Sequence, residues 1–78
     1  MAENKRNLVV RWRHDGEYFA GAVDEWEANW QPAQKSAMRF GSVAEFREYI
    51  ELWFKTPVED IWPLSDLRFV RLVPRRQP

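Results

Sequence analysis

The chemistry for acid–base catalysis or metal binding would start from the one histidine, His14, and from the carboxylates that occur close together, Asp24, Glu25 and Glu27, and Glu59 and Asp60. A sole histidine rules out two-histidine metal motifs and proton-relay pairs, and its position beside Asp15 and Glu17 reads as a cross-strand pair at a hairpin tip. Both carboxylate groupings fall in segments that read as loops, where acids are solvated and general acid–base pairs are rare. With no cysteine there is no thiol nucleophile, thiolate ligand or disulfide. Gly16, Gly21 and Gly41 are dispersed, so neither a phosphate-cradling loop nor a dinucleotide fingerprint is present. A chain of 78 residues also has little material with which to enclose a substrate pocket of about 300 Å³ or more. The sequence therefore predicts a noncatalytic protein with no cofactor and no metal.

Two binding chemistries remain. Trp26, Trp30 and Trp62 lie in segments without regular periodicity, flanked by Asp24, Glu25, Glu27, Glu59 and Asp60. Tryptophan is the residue most enriched in interface hot spots, and acids around it would steer a basic protein partner toward it. Loop tryptophans can instead fold back as lids over a small core, and one sequence allows either. A second apolar edge, Tyr49 and Leu52 with Trp53, would serve a partner or a second copy of the chain if no loop covers it. The alternative chemistry is nucleic-acid binding: Arg11, Arg13 and Tyr18 share one predicted strand face, Arg68 or Arg71 extends it, and Arg75 and Arg76 add phosphate contacts. The zero net charge conceals a segregation that bears on both. Residues 1–13 sum to +3, 67–78 to +4 and 14–66 to −7, so a basic stripe and an acidic surface are expected on different sides.

These residues are positioned by an α+β domain of order ββ(β)αβ, with a mainly antiparallel sheet of three to four strands and one helix over about 43–55 packed on one face. The helix start is fixed by Ser42 followed three residues later by Glu45, a capping box. Val43, Phe46, Tyr49, Ile50, Trp53 and Phe54 then recur at helical spacing until Pro57. The apolar arc is roughly 200° wide at about 100° per residue, more than one sheet needs. Trp53 is placed in the core, and Trp62 and Leu64 are candidates to cover the surplus.

Two β-rich runs flank His14-Asp15-Gly16-Glu17, and Asp-Gly suits a two-residue type I′ turn. That turn pairs His14 with Glu17, Arg13 with Tyr18 and Trp12 with Phe19, through to Leu8 with Val23. One face of the hairpin is then Leu8, Val10, Trp12, Phe19 and Val23, with Gly21 leaving room for a large side chain. The other is Val9, Arg11, Arg13, Tyr18, Ala20 and Ala22, expected to be solvated. Residues 24–35 and 58–66 read as irregular, Ala37 to Phe40 as a short third strand, and Leu67 to Val73 as a last strand interior to the sheet. Residues 1–6 read as a flexible basic arm, 7–74 as a single domain and 75–78 as a basic tail.

A chain this short buries only about 60% of its unfolded surface, so five Trp, five Phe and two Tyr must concentrate the core. Leu8-Val9-Val10 is too short for a signal-peptide core and no run reaches membrane-spanning length. With the missing cysteines, this predicts a cytoplasmic protein without membrane partners. From Ser36 to Pro57, where a short strand ending in Phe40 runs through a capping Ser42 into an amphipathic helix, the chain resembles small orphan proteins of phages and mobile elements, including anti-CRISPR proteins. That resemblance implies a stoichiometric inhibitor that binds a bacterial defence complex, in some cases by presenting acids to a nucleic-acid channel.

Overall fold

A computed structural model describes residues 6–72. Four strands, β1 (Leu8–Trp12), β2 (Tyr18–Ala22), β3 (Ala28–Gln31) and β4 (Leu67–Arg71), form one antiparallel sheet in the order β3-β2-β1-β4. Helix α1 (Val43–Phe54) and the single turn α2 (Val58–Ile61) precede β4. The architecture is thus the expected α+β domain. Leu8, Val10, Phe19, Phe40, Phe46, Ile50, Val58 and Leu67 make one buried cluster between sheet and helix. Phe19 is its centre: the rings of Trp30, Phe46, Tyr49 and Trp62 meet it edge-on with centroids 5.5–6.2 Å away, the arrangement ring quadrupoles favour.

The start of α1 is capped as read, with one displacement. Ser42 Oγ accepts from Glu45 N–H (3.2 Å), but Glu45 Oε1 reaches back to the N–H of Gly41 (2.7 Å), one residue before the cap. Arg6 also pairs with that carboxylate at 3.0 Å, which seats it on the domain although it was assigned to the basic arm; the rest of the arm and the tail 75–78 lie outside the described residues. At its C-terminus α1 closes with Lys55 in the left-handed region (φ 59°), its N–H donating to Glu51 O.

The hairpin differs from its expected register by two residues. Tyr18 stands opposite Arg11, not Arg13, and Trp12 N–H donates to Glu17 O across a loop of Arg13, His14, Asp15 and Gly16. A shift of two keeps every side chain on its face, so Val10 and Phe19 still meet in the core. His14 bonds Asp66 Oδ1 at 2.7 Å instead of Glu17. Beyond Tyr18 the two strands separate, and Met38 to Phe40 enters the gap: Met38 N–H donates to Phe19 O, and Phe40 and Leu8 exchange both backbone bonds. The expected third strand is therefore a single bridge. The true β3 lies in the stretch read as irregular, because Ala28–Gln31 offers a strand edge to β2 rather than an apolar alternation of its own.

Four further expectations are corrected. β4 is an edge strand, not an interior one; its second apolar face is Val70, opposite the fully buried Val9 on the side away from the helix. That side was expected to be solvated throughout. Gly21, at φ +120°, turns β2 through a bulge, so Val23 swings out of the core face and is 56% exposed. The Tyr49 hydroxyl lies 3.6 Å from where a Gly21 Cβ would stand, an ordinary contact, so it is the φ of +120° rather than room for a neighbour that calls for glycine there. Trp53 is 44% exposed, because β2 and the turn after it do not extend over that flank of α1.

Replacing Phe46 with Ala is expected to cost about 3–5 kcal/mol, enough to unfold a domain with a reserve of roughly 5 kcal/mol, whereas Trp53→Ala, with its ring only partly covered, should cost about 2 kcal/mol or less; denaturant titration of both variants checks the contrast. In the same assay Ser42→Ala should cost about 1 kcal/mol through the lost cap, and a loss near zero would mean that the Glu45–Gly41 bond alone secures the helix start.

Candidate functional site

The turn between β2 and β3 is built by its own polar groups. Val23 N–H donates to Glu27 O (2.8 Å), and Asp24 Oδ1 accepts from Trp26 N–H (2.8 Å), an Asx turn. Its side chain thus held by backbone geometry rather than by packing, Trp26 projects into solvent and is 88% exposed. Asp24, Glu25 and Glu27 surround it, all exposed.

This turn is the ridge between two grooves. On one side Val23, Asp24 and Glu25 face Leu52, Trp53 and Lys55 across a groove of about 450 Å³. On the other, Glu25 and Trp26 face Phe54, Asp60 and Trp62, with Trp30 at the floor, across a groove of about 430 Å³. Val23, Trp26, Leu52 (67% exposed) and Trp53 make the apolar part of the ridge and its far wall. Lys55 is the single basic residue lining either groove.

The three tryptophans singled out by sequence therefore divide. Trp30 and Trp62 are half-buried, meet edge to face at 5.5 Å and close one end of the core, while one edge of each remains open to the groove. Only Trp26 stands free of the core. Tyr49, assigned to the same surface, is half-buried, and its hydroxyl accepts from Ala22 N–H at 3.0 Å, so its polar atom is spent within the fold. Leu52 remains available. Val23 belongs to the surface and was not assigned to it, whereas Trp53 was placed in the core and offered to this edge only if left uncovered; the signal for Val23 was Gly21, whose bulge changes which face the next residues occupy. The excess width of the α1 apolar arc was the signal for Trp53.

The alternative, basic set is not one cluster. Arg11, Tyr18 and Arg68 share the sheet face away from α1, with Arg11 Cζ 5.6 Å from the centre of the Tyr18 ring. Arg13 lies in the hairpin loop and donates to Ser65 O (3.3 Å). Arg71 is on the helix side, donating to Asn7 Oδ1 (2.6 Å) and Gly41 O (3.2 Å), which separates it from Arg11 and gives it the role of tying β4 to the start of α1. Odd and even positions of β4 point to opposite faces, so Arg68 and Arg71 could not both extend the patch. Arg75 and Arg76 lie outside the described residues.

Among the described residues no three His, Asp or Glu side chains converge as a metal site, and no helix is long and apolar enough to cross a membrane. Glu59 is held below the usual carboxylate range, first by a hydrogen bond to its own backbone N–H at the start of α2 and then by Arg47. Its depressed value means that it contributes stability above the ordinary glutamate range and loses it as pH falls through the lowered midpoint. Arg47→Gln should raise the Glu59 midpoint without restoring it fully, because the backbone bond survives; carboxyl NMR titration of the two proteins measures this. Comparison of the chain with known protein families, curated proteins and solved structures returned no match.

Proposed function

We propose that this chain is a noncatalytic protein-binding module that takes a basic partner segment carrying an apolar anchor, with the β2–β3 turn as its docking ridge. The exposure of Trp26 carries this reading. A tryptophan side chain covers about 150–250 Å², so complete coverage would contribute roughly 4–6 kcal/mol at about 25 cal/mol per Å² before association costs are subtracted. Among the described residues no other exposed apolar side chain offers as much. The surrounding carboxylates favour a cationic partner and speed its approach. A second copy docked through the same surface would set acid against acid, which disfavours homodimerisation there.

A stoichiometric inhibitor of a bacterial defence complex, carried by a phage or mobile element, is the form of this function that the resemblance at residues 36–57 supports. Asp24, Glu25, Glu27 and Asp60 offer such a complex the negative charge that its own nucleic acid would otherwise supply.

Affinity capture from bacterial lysate with the intact chain, repeated after nuclease treatment, should retain a partner. Trp26→Ala should then weaken that partner by about 2 kcal/mol, some thirtyfold, with an unchanged melting temperature, and Glu25→Lys with Glu27→Lys should slow association and flatten its salt dependence. Full affinity in Trp26→Ala would overturn the assignment of the ridge.

A further inference from the structure

The sheet face turned away from α1 carries a row of side chains that the ridge does not use. Arg68 stands opposite Arg11, Arg11 opposite Tyr18, and Tyr18 opposite Gln31. One line of two guanidiniums, an aromatic ring and an amide thus crosses all four strands, spanning about 14 Å at the usual interstrand spacing. The row is free of opposing charge. The four strands contain no acid, and their charged residues are Arg11, Arg68 and Arg71, of which Arg71 faces the other way. Among the described residues neither Arg11 nor Arg68 has a carboxylate within ion-pair distance.

Like charges directly opposite each other on antiparallel strands destabilise a sheet. A purely structural row would place an acid at one of the two positions. Local rules of this kind are broken where a site needs them broken, and two cations held side by side on a rigid sheet are compensated by an anion. The neighbouring groups identify the kind of anion. Arg11 Cζ lies over the Tyr18 ring at 5.6 Å while its Nε donates to Gly16 O at 3.2 Å, so guanidinium and ring adjoin at cation–π distance as one platform held from the loop. Gln31 Nε2 donates to Asn29 Oδ1 at 2.7 Å, which leaves the Gln31 amide oxygen as an acceptor at the end of the row. Cations for phosphates, planar groups for bases and an amide for a base edge are the three needs of an unpaired strand.

We infer that this face binds single-stranded nucleic acid, Arg11 and Arg68 taking backbone phosphates and the Arg11–Tyr18 platform stacking a base. A duplex keeps its bases stacked inside and could use only the guanidiniums. An acidic peptide would likewise leave Tyr18 and Gln31 idle.

Fluorescence anisotropy with labelled oligouridylate and oligothymidylate at low salt tests the inference on the intact chain, with a duplex of equal length and polyglutamate as competitors. Arg68→Glu is the deciding variant, because it converts a like-charged pair into an opposite one. It should weaken single-strand binding tenfold or more while the melting temperature holds or rises. Replacing both arginines by Gln should reduce the slope of log affinity against log salt by about 1.4, at about 0.7 per phosphate of a single strand. Tyr18→Leu should weaken binding at least about fivefold, one stacked base being worth about 1 kcal/mol or more, with that slope unchanged. None of the five tryptophans stands in this row, so their emission should stay constant here and change when a protein covers the Trp26 ridge. Absence of single-strand binding at low salt, undiminished binding by Arg68→Glu, or displacement by polyglutamate or duplex as effective as by the unlabelled strand with Tyr18→Leu inert would each overturn it.

Discussion

The fold depends on the burial of Phe19. Its ring meets the helix, edge strand β3 and the connection before β4 through aromatic edges, and Trp62, which also packs on Trp30 and Phe54, closes the same group of rings. In a chain this short the conformational entropy of every ordered residue must be offset by few buried groups. Concentrating large rings around one of them accomplishes that with directional contacts as well as area. The requirement reaches into the backbone. Tyr49 lies against Phe19 and Phe40 and its hydroxyl accepts from Ala22 N–H, beside the bulge that Gly21 makes in the β2–β3 pairing at φ +120°; Met38 to Phe40 pairs where β1 and β2 have separated.

That same bulge produces the two-sided character of the molecule. Once β2 turns away at Gly21, the chain must return through a tight turn to form β3, and the turn is made of acids because they supply its hydrogen bonds and tolerate solvent. The strands, which cannot place acids against an apolar core or one another, keep arginine as their sole charge. Of the arginines that flank the acidic middle of the sequence, Arg11 and Arg68 thus meet on the sheet face away from α1, while Arg13 lies in the hairpin loop and Arg71 on the helix side.

Features set by local chemistry were legible from the residues. The α1 cap, its length and the core face of the hairpin each follow from one segment's own periodicity, and a two-residue error in register left the hairpin face intact because its parity was right. What escaped depended on distant partners. Trp30 is half-buried and in a strand only because β2 offers an edge and Trp12, Phe19 and Trp62 offer rings; nothing within Ala28–Gln31 specifies it. Trp53 looked like core because helical spacing reports which residues share a face, whereas the extent of the covering sheet is decided elsewhere. For the candidate sites, residue type identified Trp26, its acids, Arg11 and Tyr18, and strand parity was needed to remove Arg71.

The two flanks of α1 show how covering was apportioned. On the Phe54 side the chain continues past Pro57 into α2, so Val58 is buried and Trp62 packs against Phe54 at 5.9 Å. On the Leu52 and Trp53 side, among the described residues, the facing wall of the groove is the turn after β2, whose backbone is already closed by the Val23–Glu27 and Asp24–Trp26 bonds. Those bonds hold the turn's backbone with Asp24, Glu25 and Glu27 in solvent, and folding the turn over that flank would bring three carboxylates toward an apolar surface. Desolvating them would cost more than one indole returns. The exposed ridge is therefore the lower-energy arrangement of the isolated domain, and it leaves apolar surface beside negative charge, a combination that a cationic amphipathic partner can cover without meeting the same penalty.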